Sequence, residues 1–144
     1  MESNDTVKLL RECDAGSKMA VSAIDEVLEK VTSERLKTDL AESKAHHTKL
    51  GNEIHNILNE YGVEDKNPNP MAKSMSWIKT SVKLGIDESD STVADLITDG
   101  CNMGVKSLHR YLNQYQAADS KSKSLCNELI DIESHLCDDM VRYL

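Results

Sequence analysis

The amino-acid sequence predicts an all-α fold, a bundle of four long helices, and three observations support this prediction. Leu, Ala, Glu, Lys and Ser dominate the 144 residues, and this composition favours helix over strand. Glycine and proline are scarce, with 6 and 2 residues, and the sequence has no convincing run of alternating β-branched residues. Apolar residues recur about every 3.6 positions along four long segments, which is the spacing of one helix face.

The first helical hairpin is predicted over residues 5–31 and 33–61. The apolar stripe of its first helix is Val7, Leu10, Ser17, Val21, Ile24 and Leu28. The apolar stripe of its second helix is Leu36, Leu40, His47, Leu50, Ile54 and Leu58. Ser33 is a favoured N-cap type and Gly62 is a favoured helix stop, so both limits of the second helix are marked. Because only the residues around Thr32 separate the two predicted helices, they must fold back as antiparallel neighbours.

The segment that follows is predicted to leave this hairpin and lead to a second one. Asn67-Pro68-Asn69-Pro70 cannot continue a helix, because proline lacks an N–H and restricts the residue before it. A short amphipathic helix is predicted over residues 71–84, and Trp77 lies beside its stripe. That stripe consists of Met71, Met75, Ile78 and Val82. Gly85 ends the short helix, and an acidic loop over residues 87–90 follows.

The second hairpin is predicted over residues 91–117 and 119–144. One side of its first helix carries Val93, Ile97, Gly104, Leu108, Tyr111 and Tyr115. The stripe of its second helix is Leu125, Leu129, Ile132, Leu136 and Met140. Asp119-Ser120 provides the N-cap of that last helix. The link between these helices is again short, so this pair is antiparallel as well.

The length of the connection between the hairpins, residues 62–90, decides the predicted topology. A connection this long lets the third helix start at the far end of the bundle, which is the ferritin-like arrangement with one long crossover. A short pattern that recurs in the first and third helices favours duplication of one hairpin. It reads Cys13-x-x-Gly16-x-Lys18 and then Cys101-x-x-Gly104-x-Lys106.

Several motifs occur in an order and spacing that point to a known family. They are Cys13-Asp14-Ala15-Gly16, Ser76-Trp77-Ile78-Lys79, Gly85-Ile86-Asp87-Glu88 and the run from Leu96 to Gly104. In this layout the chain resembles a bacterial ferritin-like four-helix-bundle family of unknown function. The resemblance covers nearly the whole chain and implies a single ferritin-like domain over residues 1–144. It implies a fold and no activity, because a fold hosts many functions.

Charge and hydropathy indicate which classes of partner the protein is not expected to bind. The formal net charge is −8, with 25 acidic and 17 basic side chains. Phosphate contacts carry much of the affinity for nucleic acid, so this acidic composition predicts no nucleic-acid partner. No apolar run approaches the roughly 20 residues of a membrane span, and the polar first five residues do not resemble a signal peptide. We therefore expect a soluble cytoplasmic protein without a membrane partner.

The four cysteines stand far apart in the sequence, at Cys13, Cys101, Cys126 and Cys137. None belongs to a CxxC pair, and close pairs supply the ligands of most structural zinc sites, so such a site is not expected. Cytoplasmic proteins keep their thiols reduced. We expect these side chains to pack as small apolar groups.

The metal hypothesis for a ferritin-like bundle is a di-iron or di-manganese centre. Such a centre uses one Glu from each of two helices and Glu-x-x-His from each of the other two, all directed inward. The sequence contains no Glu-x-x-His, and the third helix has no acid on its predicted inner side, since Asp99 faces outward. The nearest approximations are Glu42 with His46 and Asp131 with His135, and both acids are predicted to face away from the core.

Three side chains on or near the predicted inner face are the metal-ligand candidates, Asp14, His47 and Glu133. They can converge inside the bundle, where a histidine beside a carboxylate holds one metal ion or makes a buried hydrogen-bonded pair. Across the first hairpin, Asp14 and His47 would form such a pair. No catalytic or cofactor-binding residue is predicted and no cofactor is expected, with iron or manganese as the alternative.

The sequence therefore favours a non-enzymatic binding or self-association module. Closed twofold dimers are the commonest oligomers, so a homodimer is the simplest assembly to expect. The competing hypothesis is a ferritin-like metal-binding oxidase or iron-handling protein, and a third is a bundle with an internal ligand cavity. The identity of a protein partner does not follow from the sequence.

Overall fold

The computed structural model describes residues 4–63 and 89–144, and these two ranges form a bundle of four long α-helices. The helices are α1 (Asn4–Leu28), α2 (Glu34–Glu60), α3 (Asp90–Gln114) and α4 (Ser120–Met140), and a short 3-10 turn (Val141–Tyr143) follows. These ranges contain no β-strand, so the predicted all-α four-helix fold is confirmed. No helix in them is long and apolar enough to cross a membrane. The predicted short helix over residues 71–84 lies outside the described ranges.

The predicted caps of α2 and α4 are confirmed. The Ser33 hydroxyl accepts a hydrogen bond from the Leu36 N–H at 3.2 Å, which satisfies one of the open donors at the start of α2. Asp119 does the same for α4, with its carboxylate 2.7 Å from the Ser122 nitrogen. Gly62 follows α2 with a φ of +72°, a left-handed conformation that glycine adopts at little cost.

Two of the helices end three residues earlier than predicted, one at a local turn and the other at a contact with a distant residue. Behind Leu28, the Lys30 N–H donates to the Val27 carbonyl at 2.9 Å, so the chain tightens into a turn before α2. At the end of α3, the Ala117 N–H donates to the Asp5 carboxylate at 3.0 Å instead of continuing the helical ladder. The last residues predicted for the fourth helix form the 3-10 turn.

Hydrogen bonds between helix ends establish the direction of each helix. The Asp90 carboxylate accepts hydrogen bonds from the Thr32 N–H, the Thr32 hydroxyl and the Ser33 N–H, each at 3.0 Å. The first turn of α3 therefore lies beside the turn between α1 and α2. At the other end, the Asp119 N–H donates to the Thr6 hydroxyl at 2.9 Å, so α4 begins beside the start of α1. As a result α1 and α4 run in one direction, and α2 and α3 run in the other.

Each helix has two antiparallel neighbours. Around the bundle α1 packs on α2 and α3, and α4 packs on α2 and α3, while α1 and α4 also meet across the core. The Tyr61 hydroxyl at the end of α2 donates to Asp119 at 3.4 Å. Residues 63 and 89 therefore lie at opposite ends of the bundle.

The apolar core has two halves. The upper core lies near the α1–α2 turn and contains Ala20, Ala23, Ile24, Val27, Val31, Leu36, Leu40, Val93, Ala94, Leu96, Ile97, Cys101, Leu136 and Met140. The lower core lies near the α3–α4 turn and contains Leu9, Leu10, Cys13, Leu50, Ile54, Leu58, Leu108, Ala118, Leu125, Cys126, Leu129 and Ile130. Burial of these apolar side chains is the main contribution to the stability of the bundle.

We expect Asp90→Ala to lower the free energy of unfolding by about 1 to 2 kcal/mol, because three hydrogen bonds to one carboxylate are lost together. Equilibrium unfolding in urea measures this change. Asp99→Ala is the matched control, since Asp99 lies on the exposed side of the same helix, and it should change the stability by less than about 0.5 kcal/mol. Equal effects of the two substitutions would contradict the role given to Asp90.

Candidate functional site

A layer of polar side chains separates the upper core from the lower core. It consists of Ser17, Ser43, His47 and Glu133, all buried, and we call it the central polar layer. Each member lies between apolar core residues of its own helix, on α1, α2 or α4. On α3 the corresponding position between Cys101 and Leu108 holds a glycine instead of a polar side chain. Buried polar groups in the middle of a bundle are the natural candidates for function or for helix register.

Ser17 connects α1 to α2 through close packing. Its hydroxyl donates to the Asp14 carbonyl at 2.9 Å, so the hydrogen bond stays within α1. A Cβ atom at Gly51 would lie only 2.7 Å from the Ser17 oxygen, so α2 approaches α1 this closely because Gly51 has no side chain. The hydroxyl therefore serves helix packing.

His47 is completely buried on the inner face of α2, as its position in the predicted stripe suggests. Its Nδ1 lies 2.8 Å from the Ser43 carbonyl oxygen, one turn earlier, and 3.3 Å from the Ser43 hydroxyl. Because a carbonyl only accepts, Nδ1 carries a proton in this hydrogen bond. Burial lowers the pKa of the His47 imidazole, and the Ser43 carbonyl only partly opposes that effect. His47 is therefore neutral in the folded protein at neutral pH.

Glu133 is the most unusual group in the layer. Its side chain is only 1 % exposed, and Oε2 has no hydrogen-bond partner in residues 4–63 and 89–144. The carboxyl packs directly on Gly104, where an added Cβ atom would lie 2.5 Å from Oε2 and 2.8 Å from both Cδ and Oε1. Burial, and to a smaller extent the Cys126 thiol, raises the pKa of Glu133 from 4.5 to about 8. The carboxyl is therefore mainly protonated at neutral pH.

Three buried thiols surround this carboxyl from different helices. The thiols of Cys13 on α1 and Cys126 on α4 interact with each other, and the Cys126 sulfur donates to the Leu108 carbonyl at 3.9 Å. This contact with Cys126, followed by burial, raises the pKa of Cys13. Burial, followed by the charge of Glu133, raises the pKa of Cys101. The buried thiols of Cys13 and Cys101 are therefore neutral and unreactive at neutral pH, in agreement with their predicted packing role.

Asp14 lies at the edge of the bundle, outside the central polar layer. Its carboxylate makes an ion pair with Lys18 at 3.0 Å and lies 3.7 Å from His55 Nδ1. Ser17 and Gly51 are in contact, so they lie at the same level along the bundle axis. From that level, Asp14 lies toward the lower core and His47 lies toward the upper core. Their separation along the axis is about 10 Å at a rise of about 1.5 Å per residue. The structure therefore gives Asp14 and His47 different partners, unlike the pair predicted across the first hairpin.

In the two described ranges, no group of three or more His, Cys, Asp or Glu side chains is placed to hold a metal ion. The predicted i,i+4 pairs lie on the surface, where Glu42 and His46 are exposed. His135 Nε2 lies 3.4 Å from the carboxylate of Asp139, one turn later on α4, and Asp131 is exposed. A di-metal centre needs four inward carboxylates, whereas the central polar layer carries one. The described residues of this layer therefore lack the ligand set of such a centre.

Sequence reasoning found His47 and Ser17 but misjudged three other positions. Glu133 was predicted beside the apolar stripe of the fourth helix, whereas it is central, and Ile132 is only partly buried. The buried face of α4 is wider than the predicted stripe, because this helix meets α1 across the core as well as its two neighbours. Ser43, one turn before His47, was missed although its i,i+4 spacing was the available signal. His55 as the partner of Asp14 had no signal in the sequence.

Comparisons with protein-family models, with curated proteins and with solved structures find no match for this chain. The functional conclusion therefore depends on the geometry and chemistry of the residues themselves.

Proposed function

We propose that this chain is a non-enzymatic helical-bundle module that acts by binding and self-associates as a weak homodimer. The observation that carries this proposal is that the Ser17 hydroxyl and the His47 imidazole each donate to a backbone carbonyl of their own helix, which is a structural use of both groups. Ser17 and His47 are bonded within their own helices, and Asp14 pairs at the edge. A catalytic site needs a nucleophile and a base within hydrogen-bond reach of each other and of a substrate.

The helix directions favour the ferritin-like arrangement as the scaffold of this module. In that arrangement two antiparallel hairpins are joined by one long crossover, and the second and third helices are parallel. The described helices have these directions, and residues 63 and 89 lie at opposite ends of the bundle, which supports the proposal. The resemblance to the bacterial ferritin-like family is part of the same proposal, as is the cytoplasm as the compartment.

The exposed apolar side chains support self-association of modest strength. Among the described residues only Met103, Val141 and Leu144 are large apolar residues that are more than a third exposed. Val141 and Leu144 lie at the end of the chain, on either side of Tyr143, which donates to Asp39 of α2 at 2.6 Å. That hydrogen bond holds the end of the chain against the bundle. A surface of this size suits a weak, reversible dimer instead of an obligate one.

Sedimentation velocity over a range of protein concentrations tests the proposal. We expect a monomer–dimer equilibrium in the micromolar range, and we expect the double substitution Val141→Asp with Leu144→Asp to shift it to monomer. Met103→Asp is the matched control, because it adds one charge at an exposed apolar position on another helix. A wild-type protein that stays monomeric at the highest concentration would contradict self-association through this surface.

Metal analysis of protein purified without chelator tests the non-enzymatic part of the proposal. Nearly two equivalents of iron or manganese per chain would overturn it and favour the ferritin-like oxidase or iron-handling alternative. Substoichiometric zinc would leave the proposal standing, because exposed histidines such as His46 bind this ion adventitiously.

A further inference from the structure

Burial and the Cys126 thiol both raise the pKa of Glu133, and no cationic side chain of the described ranges opposes them. Besides Gly104, the titratable side chains that face it are Cys13 from α1, Cys101 from α3 and Cys126 from its own helix, each with an electrostatic contact to it. From α2, the neutral imidazole of His47 lies within about one helical turn of the same level. His47 is placed at this level by two contacts between α2 and α4, one on either side of it along the bundle axis. They are the ion pair of Glu53 with Lys121 and the hydrogen bond of Tyr143 to Asp39.

We propose that Glu133 is a proton-operated switch, in which a bound proton keeps α3 closed on α4 and release of that proton opens this helix pair. In the closed state the surroundings of Glu133 disfavour a negative charge on its carboxyl. The carboxyl is buried, its Oε2 has no hydrogen-bond partner among the described residues, and the α3 backbone at Gly104 is in contact with it. An ionised carboxylate buried without a partner is strongly unfavourable, so it must gain water.

The direction in which the helices separate follows from the packing. The carboxyl faces α3 at Gly104, where an added Cβ atom would collide with it. Water reaches the carboxylate by the shortest route when α3 moves away from α4 at this point. Because Glu133 is buried within one chain, the switch does not depend on the proposed dimer.

The pH range of the switch follows from linkage. The pKa of Glu133 is raised from 4.5 to about 8 in the closed state, mainly by burial, and returns toward its ordinary value when the carboxyl meets water. A raised carboxyl pKa means that the closed state is fully favoured below pH 4.5 and loses stability as the pH rises to about 8. The opening equilibrium should therefore increase about tenfold for each pH unit within this range.

Hydrogen exchange of the full chain at pH 6, 7 and 8, corrected for the intrinsic pH dependence of exchange, measures this opening. In the wild-type protein we expect protection of the amides around Gly104 and Glu133 to fall by about 50-fold from pH 6 to pH 8. Glu133→Gln keeps the size of the protonated carboxyl without its titration, so its corrected protection should not change over the same range. Glu128→Gln is the matched control, an exposed glutamate of the same helix, and it should behave as the wild type.

A second measurement does not depend on the folding of any variant. Infrared spectra of the wild-type protein should show the carbonyl stretch of a protonated carboxylic acid at pH 6, and this band should disappear as the pH is raised past 8. If Glu133→Gln does not fold, Glu133→Met replaces it as an uncharged side chain of similar length. A Glu133 carboxyl that is already ionised at pH 6 would overturn the proposal. The same loss of protection in the uncharged variant as in the wild type would also overturn it.

Discussion

Leu129→Ala is expected to lower the free energy of unfolding by about 3 to 4 kcal/mol. Leu129 is fully buried in the lower core of the bundle, where α4 meets α1. The residue opposite it is Gly16, and an added Cβ atom there would lie 4.0 Å from Leu129 Cδ2. Leu129 therefore fills space that Gly16 leaves open. Truncation leaves a void that no side chain of Gly16 can enter, and the cost of a core truncation rises with the void that remains.

Equilibrium unfolding in urea or guanidinium chloride, monitored by far-ultraviolet circular dichroism, gives the stability change. Val141→Ala is the control, because its side chain is 60 % exposed, and we expect a change of less than about 0.5 kcal/mol. A loss of less than about 1 kcal/mol for Leu129→Ala would show that the lower core collapses around the missing atoms.

Gly104→Ala is the second substitution with a large effect, and its sign should depend on Glu133. In the wild-type protein the new Cβ atom would lie 2.5 to 2.8 Å from the buried carboxyl, so Glu133 must shift within a packed core. We expect a net loss of about 1 to 2 kcal/mol, because the packing cost exceeds the gain from the better helix propensity of alanine. Combined with Glu133→Ala, the same substitution should instead stabilise the protein by about 1 kcal/mol.

A double-mutant cycle of these variants in chemical denaturation measures the coupling between the two positions. Gly16→Ala is the matched control, since Gly16 occupies the corresponding place in the recurring Cys-x-x-Gly-x-Lys pattern and an added Cβ atom there makes only an ordinary contact, at 4.0 Å from Leu129. It should stabilise the protein by about 1 kcal/mol in either background. If Gly104→Ala were stabilising in the presence of Glu133, the carboxyl would have room to move, and the close contact would not restrain it.

The two glycines of that pattern show what a sequence repeat cannot reveal. Gly16 and Gly104 share the same local motif, yet only Gly104 has a carboxyl packed on its backbone. The difference comes from the opposing helix, where Leu129 faces one glycine and Glu133 the other. A recurring motif therefore predicts a helix at both places, but it does not predict which side chains of the opposing helix each copy contacts.

Helices, caps and turns were predictable because each depends on residues that are close in the chain. Ser33 and Asp119 cap the helices that begin beside them, and Gly62 takes the left-handed conformation just after α2. Burial of His47 followed from the period of its helix. The end of α3 was predicted too late because a distant residue intervenes there, since Asp5 binds the Ala117 N–H.

By itself, the sequence determined four amphipathic helices in two antiparallel hairpins, because helix periodicity, caps and short turns act over a few residues. The tertiary structure decided which polar side chains are buried together and which reach an edge. It buried the Glu133 carboxyl in the middle of the bundle and packed it on Gly104. It also gave Asp14 the partners Lys18 and His55. The physical reason is that a helix packed against three neighbours buries a wider face than one apolar stripe covers. On α4 that face includes Leu129 and Leu136 of the predicted stripe and also Glu133 beside it.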